Sequence, residues 1–151
     1  MKRLATIFFV LLTACSMRKE TDVTNDPAYK EVIGQEWETV VDLAIFKKDA
    51  SATELSVNIP GSPGVPKVLP TSFPYDEGGL YIIGVLPRGS KFRLTKVIRI
   101  ESPENSYIQF RAILEISGSL RGSEINPTWL AEGAYYPNVP KFDEKYVVPA
   151  K

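Results

Sequence analysis

KFRLTKVIRIE at residues 91–101 and YIQFRAILEI at residues 107–116 are the stretch that decides the fold. Both alternate apolar and polar side chains with the period of two that a half-buried strand requires. In the first segment Phe92, Leu94, Ile98 and Ile100 fall on one face, and Arg93, Thr95, Val97 and Arg99 on the other. Lys96 interrupts the apolar face and points to a bulge or a snorkelling stem. In the second segment Ile108, Phe110, Ala112, Leu114 and Ile116 turn inward. Tyr107, Gln109, Arg111, Ile113 and Glu115 turn outward. The intervening SPENS, residues 102–106, has turn chemistry, so the two segments read as an antiparallel hairpin. Its outward charges can pair across strands, each exposed pair contributing about 0.2–1 kcal/mol.

Working outward, the flanking sequence extends the same pattern. EWETVVDLAIF at 36–46 places Trp37, Thr39, Val41, Leu43 and Ile45 on one face. Trp37, Val40, Val41 and Ala44 also match helical spacing, and the β-branched residues favour a strand. TELSVNI at 53–59 alternates cleanly, with Leu55, Val57 and Ile59 inward, and Tyr146, Val147 and Val148 read as a last strand. Residues 60–79 hold Pro60, Pro63, Pro66, Pro70 and Pro74, which exclude a helix or a central strand. They are expected to run as an extended, polyproline-like loop that either laps over one barrel opening, with Val68, Leu69, Phe73 and Tyr75 covering the core, or is presented to a partner. SGSLRGSE at 117–124 is a second loop. The expected fold is all-β: a small antiparallel barrel with extra strands and a long Pro-rich loop.

Composition narrows the chemistry. The chain has 151 residues, with 18 basic and 18 acidic side chains, no histidine and one cysteine. A balanced charge disfavours nucleic-acid binding, which draws on a basic surface to displace counterions. Without histidine there is no imidazole base, no Ser-His-Asp triad and no His-ligated metal. One cysteine closes no internal disulfide. No phosphate-binding glycine motif occurs. Glu101, Glu104 and Glu115 lie near one hairpin, where Glu101 and Glu115 as cross-strand neighbours would make a solvated face rather than an acid/base pair. Asp76-Glu77 beside Gly78-Gly79 likewise reads as a solvated loop rather than a calcium site. The chain is therefore expected not to be an enzyme, and to use no metal or cofactor.

The N-terminus reads as a processing signal. Lys2 and Arg3 precede LATIFFVLL at residues 4–12, a nine-residue apolar run. That is about half the length needed to cross a bilayer as a helix, so it is a signal-peptide core rather than a membrane span. Leu12-Thr13-Ala14-Cys15 follows and resembles the bacterial lipobox, with the sole cysteine where the box requires it. The resemblance implies cleavage before Cys15 and acylation of Cys15, hence anchoring in a membrane through lipid. Two or three acyl chains together anchor stably, where one chain binds only marginally. Ser16 after the cysteine favours the outer membrane, with the domain facing the periplasm. Residues 1–14 are then the signal peptide, 15–28 a lipidated flexible tether and 29–151 a single β domain. Loss of Lys2 and Arg3 leaves 16 basic against 18 acidic side chains.

Leu86, Pro87, Gly89 and Ser90, between an apolar strand and the strand from 91, resemble the strand junctions of bacterial SH3-like small barrels. The likeness covers residues 80–116 and implies an SH3-like barrel, extended here by strands at both ends. Small lipid-anchored β domains without catalytic residues resemble two groups. One binds another protein within a cell-envelope assembly, and this is the expected role. The other comprises inhibitor or immunity lipoproteins that neutralise a toxin or wall-degrading enzyme. Exposed aromatic and acidic residues are the expected contacts: Phe73, Tyr75, Asp76 and Glu77 at a loop tip, and Trp129, Tyr135 and Tyr136 further on.

Overall fold

The computed structural model describes residues 18–77, 79–135 and 137–151. The signal segment and Cys15 therefore lie outside the described residues. The chain forms strands β1 (Lys19–Asp22), β2 (Glu36–Thr39), β3 (Leu43–Lys47), β4 (Leu55–Asn58), β5 (Tyr75–Glu77) and β6 (Leu80–Leu86). It continues through β7 (Lys91–Glu101), β8 (Ser106–Leu114), β9 (Glu124–Asn126), β10 (Ala131–Glu132), β11 (Lys141–Phe142) and β12 (Val147–Pro149). One sheet runs β12-β2-β7-β8-β9-β4-β3-β6-β5, with β1 added along β7, and β10 and β11 pair separately. The fold is all-β and barrel-like, its main sheet strongly curled into a half-barrel. Every pairing is antiparallel except β4 with β9, which run parallel.

The expected hairpin is β7 and β8, and the bulge expected near Lys96 is present. The register shifts between Leu94 and Lys96, leaving Thr95 as the extra residue. A one-residue slip inverts every later side chain. Phe92 and Leu94 thus share the core face with Val97, opposite Leu114, Ala112 and Phe110. Ile98 and Ile100, expected beside Phe92 and Leu94, instead pair with Gln109 and Tyr107 on the other face.

Residues 18–28 differ from the flexible tether expected of them. Eleven residues of β7 present a long edge, and unpaired strand edges are filled or blunted in stable folds. β2 takes residues 91–93 of that edge and β1 takes 98–101. Between them Val23 N donates to Val97 O at 3.0 Å and Gly34 N to Leu94 O at 2.8 Å. The chain leaves the edge for one 3₁₀ turn, Pro27–Tyr29, whose first turn is capped by the Asp26 carboxylate accepting from Ala28 N. That excursion plants Tyr29 in the core.

The segment expected as one strand at 36–46 is broken into β2 and β3 by a corner, and Thr39 holds it. Thr39 Oγ1 donates to Pro87 O at 2.8 Å and accepts from Ser90 N at 3.1 Å. Its amide donates to Ser90 O at 2.9 Å, and its carbonyl accepts from Gly89 N at 2.8 Å. Asp42 Oδ1 accepts from Arg88 N beside it. Two bends, β2 to β3 and β6 to β7, are stitched together here, where the sheet changes direction. Gly89 takes φ +84 in the turn, a conformation that favours glycine.

The sheet is covered on both faces. The inner face carries the main core, including Leu43, Ile45, Val57, Leu86, Phe110 and Ile125. Phe142 packs edge-on against Trp37, with ring centroids 4.6 Å apart, and lies 5.9 Å from Phe92 and 5.5 Å from Phe110. The outer face of β3 and β6 carries a smaller cluster of Ala44, Phe46, Ile82 and Val65. Val65 and Leu69 are the Pro-rich loop's contribution, rather than Val68, which is exposed. The loop is not extended at its start. Gly61 N donates to Val65 O and Val65 N to Ser62 O, curling it into tight turns. Gly64, at φ +78, lies so close to Leu80 that a Cβ would sit 2.7 Å from Leu80 Cδ1.

Replacing Thr39 with Val removes the hydroxyl at nearly constant shape. The Ser90 amide loses its hydroxyl acceptor but keeps Pro87 O at 3.1 Å. Thr39→Val is expected to lower unfolding stability by about 0.5–1.5 kcal/mol in a urea titration, the net worth of the hydrogen bonds lost. An unchanged midpoint would contradict the corner's role.

Candidate functional site

A groove of about 910 Å³ crosses the outer face of the sheet. Strand alternation builds its floor. Ile45, Leu55, Ile108 and Ile125 point into the core, so Phe46, Ser56, Gln109 and Asn126 point the other way, into the groove. Leu80 closes one side and the segment 128–135 the other.

That segment is pinned rather than loose. Thr128 Oγ1 accepts from Phe110 N at 2.8 Å, and Asn126 Oδ1 accepts from Thr128 N at 3.1 Å. Ala134 O accepts from Ile108 N at 2.7 Å. Leu130 is buried in the core. With Leu130 and Thr128 committed inward, Trp129 is left outward and is 65% exposed, and Tyr135 is 66% exposed. Large aromatic surface left in water at the lip of an apolar groove marks a contact site.

Glu54 gathers polar side chains of the floor around its carboxylate. Its carboxylate pairs with Arg111 Nη1 at 2.8 Å, and accepts from Arg111 Nη2 at 3.0 Å, Asn126 Nδ2 at 2.9 Å and Gln109 Nε2 at 3.1 Å. Arg111, only 11% exposed at its side chain, also faces Glu124 at 3.6 Å. Burial raises the Glu54 pKa. The hydrogen bonds from Arg111 and Asn126, with the positive charges of Arg111 and Arg18, outweigh burial and hold the carboxyl below the ordinary glutamate value. Gln109 Oε1 is buried without a hydrogen-bond partner.

The residues expected to make contacts divide between two places. Trp129 and Tyr135 come together at the groove. Phe73 and Tyr75 are 37% and 39% exposed and Asp76 is exposed. These three do not line the groove; they lie at and beside β5, the last strand of the sheet. Glu77 ends that strand opposite Leu80. Tyr136, like Cys15, lies outside the described residues. Glu101 and Glu115 are not cross-strand neighbours. Glu101 ends β7, whereas the Glu115 amide bonds to Lys91 O at the strand's start, and Arg93 holds Glu115 at 2.6 Å. Among the described residues no three Asp, Glu, Cys or His side chains gather as a metal would need, and no helix is long and apolar enough to cross a membrane.

Sequence reasoning placed Gln109 and Arg111 on the outward face but missed Glu54 and Asn126 as their partners. The signal was weak, because Glu54 lies more than fifty residues from Gln109 and Arg111 and meets them only when β4 joins β9 in parallel. Compared with known proteins, the chain matches no family model, no curated protein and no solved structure.

A carboxyl whose pKa is depressed on folding contributes stability above its unfolded value, and that contribution is lost as pH falls through the folded value. Glu54→Gln is therefore expected to cost about 1 kcal/mol near pH 7, a small figure because the side chain is half exposed and screened. The gap from the native chain should close as the carboxyl protonates, in urea titrations run down to about pH 3. A gap that stays constant with pH would contradict the network.

Proposed function

We propose that this chain is a lipid-anchored protein of the bacterial cell envelope that binds another protein through the outer-face groove and catalyses no reaction. The lipobox-like Leu12-Thr13-Ala14-Cys15 supports the anchor, and Ser16 supports the outer membrane with the domain facing the periplasm. The observation that carries the binding reading is the groove itself, apolar in its walls and rimmed by Trp129 and Tyr135. Aromatic side chains of this kind bury about 150–250 Å² each at low entropic cost, which suits them to anchor a partner. The Glu54 carboxylate in the groove is already paired with Arg111, so an apolar or neutral partner surface meets no uncompensated carboxylate there.

A second reading has its own support. Phe73 and Tyr75 stand exposed beside Asp76 at the edge strand β5. An aromatic and acidic tip of that kind suits an inhibitor that enters the cleft of a toxin or wall-degrading enzyme.

A photo-crosslinking amino acid placed at Tyr135, and separately at Tyr75, distinguishes the two in living cells. One discrete envelope-protein adduct from position 135, reduced about tenfold or more by Trp129→Ala, is expected of the assembly role. An adduct to a toxin or wall hydrolase from position 75 alone would replace that reading with the inhibitor one. No adduct from either position, or substrate turnover by the full chain, would overturn both.

A further inference from the structure

We infer that the groove's protein partner is a second copy of this chain, whose tip at residues 73–76 seats against Trp129 and Tyr135 of the first; this names the partner, and it rests on the reading of the groove as a protein-binding surface. The contact runs head to tail, groove to tip.

Exposed apolar surface gathers in two stretches of the sequence. Among the described residues, the large apolar side chains left exposed are Val68, Phe73 and Tyr75 in one stretch and Trp129, Tyr135 and Val139 in the other. The second stretch rims the groove through Trp129 and Tyr135. The first leads into β5, the end strand of the sheet. Rings left in water on both surfaces gain by covering each other, and pairs of aromatic rings attract beyond the area they bury.

The tip is held away from its own groove. Tyr75 is fixed opposite Ile82 in the β5–β6 pairing, and Leu80 at the start of β6 closes one side of the groove. The floor lies beyond that wall, on β3, β4, β8 and β9. A tip pinned into the sheet on the far side of Leu80 is presented to another molecule's groove.

Charge fits the same pairing. The charged side chains lining the groove are Arg18, Lys48 and Glu54. Glu54 is held by Arg111 at 2.8 Å, and Arg18 by Glu20 at 3.0 Å. That leaves the exposed ammonium of Lys48 as the groove's outstanding charge. The tip brings an exposed carboxylate, Asp76. Strand alternation sets Asp76 on the opposite face of β5 from Tyr75, so a tip that enters a groove offers its ring to one wall and its carboxylate to the other. Opposite charges of this kind orient an encounter more than they tighten it. The same Asp76 disfavours two copies joining edge to edge through β5, since antiparallel pairing centred on that residue sets like charges against each other.

Tip and groove are different patches, so the contact is heterologous. Each link leaves an open groove at one end and an unused tip at the other, and copies add in a row or close into a ring. Partly exposed rings on one tip make a contact at the low end of interface sizes, so each link forms and breaks readily.

The test uses two full-length copies with different epitope tags, expressed together in cells, with a photo-crosslinking amino acid at position 75 of one. The expected product joins the two tags and carries its crosslink in the other copy's groove, within the peptides around Ser56 or residues 129–135. Lys48→Glu and Asp76→Lys, each made in both copies, should lower its yield about threefold, and the two together should restore it. Both side chains are exposed, so the variants keep their fold, which a circular-dichroism spectrum verifies. Single variants that leave the yield unchanged, or a double variant that does not recover it, would overturn the inference. So would a crosslink from position 75 to position 75 between copies. If a crosslinker at position 135 captures a different protein and no second copy, this inference fails and the groove-binding reading stands. If neither position captures any protein, both fail.

Discussion

The fold turns on one buried threonine. Thr39 makes four hydrogen bonds, two through its backbone and two through its hydroxyl, to the short turn at Pro87–Ser90. A continuous sheet of this length would twist open, with β2 and β7 diverging from β3 and β6. The bonds at Thr39 fasten both bends at one point, so the sheet curls back on itself and encloses a single core. Everything on the outer face follows from that curl. It brings β4 alongside β9 in the one parallel pairing, and that pairing is what carries Glu54 to Arg111 and Asn126.

A second constraint is the extra residue at Thr95. Its effect is arithmetic: before it the even-numbered residues of β7 face the core, and after it Val97 does. The slip lets one strand serve two environments. Its first half meets β2 and the aromatic cluster around Phe142. Its second half turns isoleucines toward the face that Tyr107 and Gln109 share. The groove's floor is the outer face of β3, β4, β8 and β9, and the segment 128–135 forms part of its rim.

Strand alternation made much of this legible in the sequence. Residues 91–101 and 107–116 carried the hairpin, and Lys96, a charge in an apolar row, carried the bulge. The parity beyond the bulge was not legible, because a pattern of isolated isoleucines fits either face once a residue is added. The corner at Thr39 was hidden for a related reason. Residues 36–46 alternate well enough to pass as one strand, and only the meeting with residues 87–90 breaks them. Residues 18–28 looked like a tether because they are polar. They are ordered through backbone bonds to an open edge, for which side-chain composition carries no signal. Of the contact residues, Trp129 and Tyr135 stood out as aromatics in an irregular stretch. Glu54, Gln109 and Asn126 did not, since two amides on strands and a carboxylate just before one look like an ordinary wet surface until β4 pairs with β9 and brings them together.

Amide hydrogen exchange on the full chain tests the central claim most directly. The groove floor rests on a sheet locked at Thr39. The amides of Thr39, Gly89 and Ser90 should then exchange as slowly as those of Phe110 and Leu114 in the core strand, opening only with global unfolding. Exchange at those three positions as fast as in the loop at 117–123, while the core strands stay protected, would show that the corner opens freely and would contradict the account.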